Sequence, residues 1–277
     1  MRYVGWRPIQ NSEENLGPRG KSMQAIGKLR TSLASGTSCW NCSMQPVDGL
    51  KQRFYAGHKS VSERFDKVAK ALANSDSVAL HAGCGRDDSI GLRSRARMTI
   101  GVDLSKWILL NLDVDSAVVG DICRLPLEDE CVDIVASKYV LEHLRYPGVF
   151  IQEASRVLKP GGRLVVLTPN LRHYAGLATH LAPHRVQRWF VHKALHGNPN
   201  EVFPTFYRAN TAHRLRTLAT QARLIKDELT VLEGPPTLLG FSSLTFVVGI
   251  LYERSVNRFD CLTGFRQAIL AVFRKPE

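Results

Sequence analysis

Val78-Ala79-Leu80-His81-Ala82-Gly83-Cys84-Gly85-Arg86 is the stretch whose reading decides the fold. Val78 to Leu80 and Ala82 form an apolar run broken only by His81, and two glycines one residue apart follow at once. A short apolar run ending in Gly-x-Gly reads as a buried strand entering a tight turn. Glycine at that turn permits positive φ and lets a ligand approach the bare main chain.

Working outward, the segment upstream has helical spacing. Val61, Phe65, Val68, Ala69 and Leu72 recur with charges between them over Ser60–Asn74, with Ser62 as the expected cap. Downstream, Met98–Val102 reads as the second strand, Ser105–Leu112 as a capped helix and Ala117–Val119 as the third strand. Val132–Ser137 reads as the fourth strand. A helix opened by Pro147 is expected to stop at Pro160-Gly161-Gly162, ahead of a fifth strand over Arg163–Thr168. Thr211–Leu224 reads as a helix capped by Thr211, Ile225–Leu232 as a sixth strand and Ala268–Phe273 as the last. Strands alternating with helices specify right-handed βαβ crossovers and a parallel sheet covered on both faces. Ligands then bind outside the carboxyl ends of the strands, where strand order reverses.

Composition bounds the rest. The 277 residues are 44% hydrophobic and 22% charged, with a net charge of +12, values compatible with a sizeable core. The charge is uneven. Lys51 to Phe150 holds 14 acids and 14 bases, whereas Ala154 to Lys226 holds 12 Lys and Arg against the single acid Glu201. That asymmetry points either to an anionic partner or to a solvated basic face. Cys39 and Cys42 have CxxC spacing but lack the further ligands of a zinc site, so no metal is expected. Cys84, Cys123 and Cys131 lie in or near apolar runs as free thiols, which fits a cytoplasmic compartment. Residues 1–47 read as a flexible segment with a short helix around Met23–Leu33. Residues 48–277 form the folded domain, with insertions at about 169–210 and 234–264. The uncharged stretch Gly234–Tyr252 is too short and too diluted by Pro235, Pro236, Ser242, Ser243 and Thr245 to span a bilayer. Burial in the protein is the expectation, with peripheral membrane contact as the alternative.

Gly83-x-Gly85 followed by an acid at Asp103 fits a cofactor containing a nucleoside, since the acid can accept from two vicinal ribose hydroxyls. A dinucleotide site would carry a third glycine where Asp88 stands, and Asp87 and Asp88 would repel a pyrophosphate. A cationic, phosphate-free cofactor suits the turn better.

Five stretches in order carry a specific resemblance. They are Gly83-Cys84-Gly85, Gly101-Val102-Asp103-Leu104-Ser105, Gly120-Asp121-Ile122, Asp133 to Leu144 with its Leu141-Glu142-His143, and Glu153 to Leu164 with Lys159-Pro160-Gly161-Gly162. Over roughly residues 50–232 the chain resembles the class I S-adenosylmethionine-dependent methyltransferases, in particular the small-molecule branch with a Leu-Glu-His signature. The resemblance implies an α/β, doubly wound, mostly parallel seven-stranded sheet of the Rossmann-like methyltransferase type. A helical insertion would follow strand five and another would precede the last strand. It implies S-adenosyl-L-methionine held by His81, Ala82, Gly83, Cys84, Gly85, Asp103, Leu104, Asp121, Ile122 and Ser137, with Asp121 on the adenine amine and Ile122 against the ring. It places Glu142, His143 and Tyr139 as the candidate catalytic groups. One departure stands out: the family usually has an acid where His81 lies.

Methyl transfer from a sulfonium needs in-line positioning and exclusion of water more than any fixed catalytic residue. A hydroxyl acceptor adds the need for a general base. The expected function is therefore S-adenosylmethionine-dependent methyl transfer to a small-molecule or lipid-linked acceptor. Arg172, Arg185, Arg188, Lys193, Arg208, Arg214 and Arg216 would suit an anionic acceptor. A non-catalytic binding module on the same fold and an RNA methyltransferase are the alternatives; His81 favours the first and the basic second half the second.

Overall fold

The computed structural model describes residues 47–86, 89–183 and 203–277. The readings placed on 1–46, on Asp87 and Asp88, and on 184–202, including Cys39, Cys42, His184, Arg185, Arg188, Lys193, His192 and His196, lie outside the described residues.

The strands are β1 (Val78–Ala82), β2 (Met98–Asp103), β3 (Ser116–Val119), β4 (Val132–Lys138), β5 (Leu158–Pro169), β6 (Ile225–Leu232) and β7 (Ala268–Arg274). They form one seven-stranded sheet in the order β3-β2-β1-β4-β5-β7-β6. The first five run parallel, with Ala79 opposite Thr99 on one side and opposite Ile134 on the other. β7 inserts antiparallel between β5 and β6. The chain runs outward from β1 to β3, then returns to the other side of β1 as β4. The crevice at the carboxyl ends of β1 and β4 is therefore the point where strand order reverses.

Among the described residues the helices are α1 (Asp48–Tyr55), α2 (Val61–Leu72), α3 (Pro147–Val157), α4 (Tyr174–Leu181), α5 (Ala212–Gln221) and α6 (Ser243–Arg258). One face of the sheet is closed by α3 and α5. There Phe150, Ile151, Leu215 and Leu218 pack on Leu80, Val135 and Leu164. The other face is closed by α2, whose Phe65 and Ala69 pack on Ala79, Ile134 and Val165. Phe65 and Phe150 are fully buried, and each such side chain is worth about 1.5–3 kcal/mol of burial. β1 is buried along its whole length, which is why its sequence is apolar without alternation.

The structure departs from the local expectations at element ends and in the short crossovers. The cap of α2 is Ser60, not Ser62: its hydroxyl accepts from Glu63 N while Glu63 accepts from Ser60 N. The expected helix over Ser105–Leu112 is only a 3-10 turn, Lys106–Leu110. Among the described residues the link from β1 to β2 carries just the 3-10 turn Leu92–Ser94, so the crossovers of this half are poorer in helix than alternation implies. α3 ends at Val157, before the Pro-Gly-Gly. Lys159 to Gly162 instead forms an irregular section inside β5, where pairing with β4 jumps from Leu158 to Arg163. Arg156 and Lys159 brace that junction, Arg156 on Glu153 and Asp129, Lys159 on Asp133. The uncharged Gly234–Tyr252 stretch is not simply buried. It forms the 3-10 turn Thr237–Leu239 and most of α6, one face of which is exposed.

Candidate functional site

The glycine turn closes the carboxyl end of β1. Gly83 has φ +76° and Gly85 φ +51°, a region that L side chains enter at a cost of about 1–2 kcal/mol. Gly83 has a second reason to be glycine, because a Cβ there would stand 2.5 Å from Val140 Cγ2. Gly83 N donates to Val102 O at 2.8 Å, which seats the turn on β2. The Asp103 carboxylate then bridges both strand exits, accepting from Gly85 N at 2.8 Å and from Ser105 N at 2.7 Å. Each oxygen keeps a further lone pair for a ligand hydroxyl.

Asn111 completes the turn, and sequence reasoning missed it. The side chain is buried, and Nδ2 donates to Gly85 O at 3.0 Å and to Cys84 O at 3.3 Å. Its Oδ1 accepts from Asp113 N, while Asp113 accepts from Ile90 N and Gly91 N. An Asn-x-Asp after an apolar run was the available signal: both types bond to backbone nearby. Cys84 is buried with Ile108 and Val114 beneath Gly101, as its apolar setting implied.

His81 is fully buried in β1, beside Gly101 of β2 and Ala136 of β4, and Ala82 is buried next to it. Leu104 is 73% exposed at the exit of β2. Asp121 is exposed, with Oδ1 accepting from Cys123 N at 2.8 Å. Ile122 is 5% exposed and packs in the same core cluster as Leu125 and the α3 residues Phe150 and Ile151. Ser137 is fully buried near the end of β4, and its hydroxyl has no hydrogen-bond partner among the described residues.

The exit of β4 is the second half of the site. Tyr139 takes φ +57°, a left-handed conformation uncommon for an aromatic residue, and is held by its N–H to Leu167 O at 2.8 Å. The 3-10 turn Leu141–His143 follows. Glu142 is 4% exposed and accepts from Thr168 Oγ1 at 3.1 Å; Thr168 in turn accepts from Asn210 Nδ2 at 2.6 Å. Burial pushes the Glu142 carboxyl up to about 7. His143 Nδ1 lies 3.0 Å from Pro204 O. A carbonyl only accepts, so Nδ1 carries the proton and Nε2 carries the lone pair. Burial lowers the His143 pKa, keeping the ring neutral near pH 7. The main chain is sewn here as well, with Phe206 N and Tyr207 N both donating to Glu142 O. The C-terminal end of the insertion is thus fixed to the β4 exit.

A third cluster at the same edge of the sheet escaped the sequence reading. His173 and Glu233 are both buried, with Nε2 and Oε1 3.7 Å apart. His173 Nδ1 caps α4 by accepting from Ala175 N, and its ring packs on Tyr174 and Tyr252. Burial lowers His173 to about 4 and raises Glu233 to about 7, so both favour the neutral form. The two residues lie 60 positions apart, and only the meeting of the ends of β5 and β6 at Ala268 brings them together. Among the described residues no group of three or more His, Cys, Asp or Glu side chains converges as a metal site.

Residues 80–166 match the family model described as a methyltransferase domain, a span that includes the glycine turn, Asp103, Asp121 and the β4 exit. The chain is 35% identical over 131 residues to a Mycolicibacterium smegmatis protein named "Probable S-adenosylmethionine-dependent methyltransferase", covering 45% of this chain and 49% of the relative. It is 34% identical over 96 residues to a protein of the same description from Mycobacterium tuberculosis, covering 33% and 35%. The chain thus spans half or less of the curated relatives it matches. Among solved structures it is similar to the YcgJ protein from Bacillus subtilis, with TM-score 0.51 and 18% identity over 78% of this chain and 98% of that one. That likeness is one of fold. The relatives' names agree with the S-adenosylmethionine expected from the glycine turn and Asp103.

Proposed function

We propose that the chain transfers the methyl group of S-adenosylmethionine to an anionic small-molecule or lipid-linked acceptor. The observation that carries this reading is the Asp103 carboxylate. It is pinned at the mouth of the switch-point crevice between Gly85 N and Ser105 N, with spare acceptor capacity for a vicinal diol. Among the described residues the β1-to-β2 link holds only a 3-10 turn, and none of them forms a helix N-terminus of the kind that cradles a pyrophosphate. The residues fit a nucleoside without phosphates.

Bound there, the cofactor supplies an electrophilic methyl on a sulfonium centre. The chain's own residues do the rest. Gly83 and Gly85 keep the main chain bare, Asp103 orients the ribose, and Asp121 offers a carboxylate at the adenine end. The unpaired Ser137 hydroxyl is a buried polar atom at the switch point for the bound molecule to satisfy. His143, neutral and with its lone pair on Nε2, takes the proton of an acceptor hydroxyl. Glu142 positions that turn through Thr168 and Asn210. Arg145 and Arg208 flank the Tyr146 ring just beyond His143, with Arg208 bonded to Arg145 O. Two guanidinium groups there suit a phosphate or carboxylate on the acceptor.

Calorimetric titration with S-adenosylmethionine, then mass spectrometry of a lysate incubated with labelled cofactor, tests the proposal. Saturable binding and a labelled anionic product support it. Absence of binding at millimolar cofactor overturns it in favour of the non-catalytic module, for which His81 is the specific observation. Label in RNA, with steeply salt-dependent binding, would select the RNA reading instead.

A further inference from the structure

α6 is apolar on two opposite faces. Its inner face buries Phe246 and Ile250 against Val47, Leu50 and Tyr55. Its outer face carries Leu244, Val247, Val248 and Leu251, spaced as neighbours on one stripe, and they are 40–76% exposed. A helix on the surface of a globular protein normally turns polar residues outward. Phe241, 63% exposed, precedes the stripe, and Phe54 of α1, 40% exposed, stands beside it. This double-sided character explains why Gly234–Tyr252 holds no charge. The helix has 16 residues, and among the described residues no helix is long and apolar enough to cross a membrane.

The surroundings of the stripe are cationic. Arg53 and Arg254 both stack over the Phe54 ring, at 5.8 and 5.6 Å. Arg258 continues the stripe one turn beyond Arg254. Lys51 reaches toward Gly240 at the start of the stretch. The acids of the same two helices are engaged: Asp48 with Lys51 at 3.6 Å, and Glu253 with the Tyr55 hydroxyl and the Asn257 amide. Exposed aliphatic and aromatic side chains bordered by arginine and lysine have the composition of a helix that lies in the plane of a membrane interface. A protein partner or a second copy would match the apolar stripe but leave the guanidinium border unexplained. The position also matters. α6 links the end of β6 to the start of β7, both paired at Leu232 and Ala268, and so stands at the carboxyl edge where the site opens.

We propose that the α1–α6 face docks on an anionic membrane surface, with Leu244, Val248 and Leu251 in the interface and the flanking cations on lipid phosphates. This deepens the lipid-linked form of the acceptor reading and rests on it only for its purpose, because docking itself requires no methyl transfer.

The test is co-sedimentation of the full chain with vesicles of equal parts phosphatidylcholine and phosphatidylglycerol, and with phosphatidylcholine alone. Binding to the mixed vesicles, weakened by salt and weaker without phosphatidylglycerol, is expected. A Leu244→Ser/Leu251→Ser double variant should lose roughly tenfold in vesicle affinity or more, with its melting temperature and S-adenosylmethionine binding unchanged, since both side chains are exposed. Equal sedimentation of the variant, or no binding to either vesicle, overturns the proposal. So does a dimer by light scattering that the same double variant dissolves, which assigns the stripe to a second copy. Failure here with intact cofactor binding leaves the methyl-transfer reading standing, and vesicle binding without cofactor binding does the reverse.

Discussion

Two residues decide whether the crevice can accept a nucleoside. Gly83 combines φ +76° with Val140 Cγ2 where a Cβ would be. Gly83→Ala therefore incurs about 1–2 kcal/mol for the left-handed backbone and about 1–3 kcal/mol for overpacking. A lower denaturant midpoint with an unchanged slope would show it, and a variant as stable as the parent would refute the geometry. Asp103 serves both the turn and the ligand. Asp103→Asn keeps the side chain's shape and one acceptor oxygen but loses the charge and one of the two acceptors that hold Gly85 and Ser105. A charge-assisted bond is worth about 1.5–3 kcal/mol, so cofactor affinity should fall roughly ten- to a hundredfold by calorimetry. Unchanged affinity would remove Asp103 from the site. The acid was legible from sequence because it ends an apolar run at the right distance from the glycines. Asn111 was not, because its role is a long-range clamp on carbonyls 26 and 27 residues away.

Single elements are fixed by their ends, and there the sequence was read with uneven success. The Ser60–Glu63 box is visible as S-x-x-E, and Ser60→Ala should cost α2 about 1 kcal/mol, read as a shift in melting temperature. Pro160-Gly161-Gly162 misled, since the same residues that stop a helix also accommodate an irregular strand section, and only pairing with β4 decides between them. The β4 exit has a pH signature. Glu142 rises from the usual 4.5 to about 7, so between those values the folded chain binds more proton than the unfolded one. Its contribution to stability is present below about pH 4.5, is lost as pH rises to about 7, and is flat above. Glu233 acts in the same direction, while His173, lowered to about 4, acts oppositely below its usual 6.5. The difference between parent and Glu142→Gln isolates the one group. The variant should gain stability relative to the parent as pH rises, by up to roughly 3 kcal/mol. Denaturant midpoints at about pH 5 and pH 8 check this, and parallel curves would contradict a buried, near-neutral Glu142.

For the whole molecule, the mostly parallel seven-stranded sheet was legible in the sequence, because buried parallel strands leave apolar runs and right-handed crossovers leave little freedom. What stayed hidden arises from assembly. β7 between β5 and β6 brings His173 to Glu233, and the C-terminal end of the insertion reaches back to Glu142 and His143 through Pro204, Phe206 and Tyr207. Those contacts link the β4 exit to the chain's second half, so occupation of the crevice should stabilise the folded domain as a unit rather than one loop. S-adenosylhomocysteine at about a hundred times its dissociation constant would contribute ~2.7 kcal/mol. For a domain of this size each kcal/mol moves the midpoint by about 2–4 °C, so melting should rise by roughly 5–10 °C in a single transition. NAD offers the discriminating control. It presents the same vicinal diol to Asp103 but brings a pyrophosphate to a link whose described residues hold only the Leu92–Ser94 turn, and should give no comparable shift. A rise with NAD equal to that with S-adenosylhomocysteine would mean that the glycine turn reads ribose alone, and the phosphate-free specificity argued from this edge of the sheet would fall.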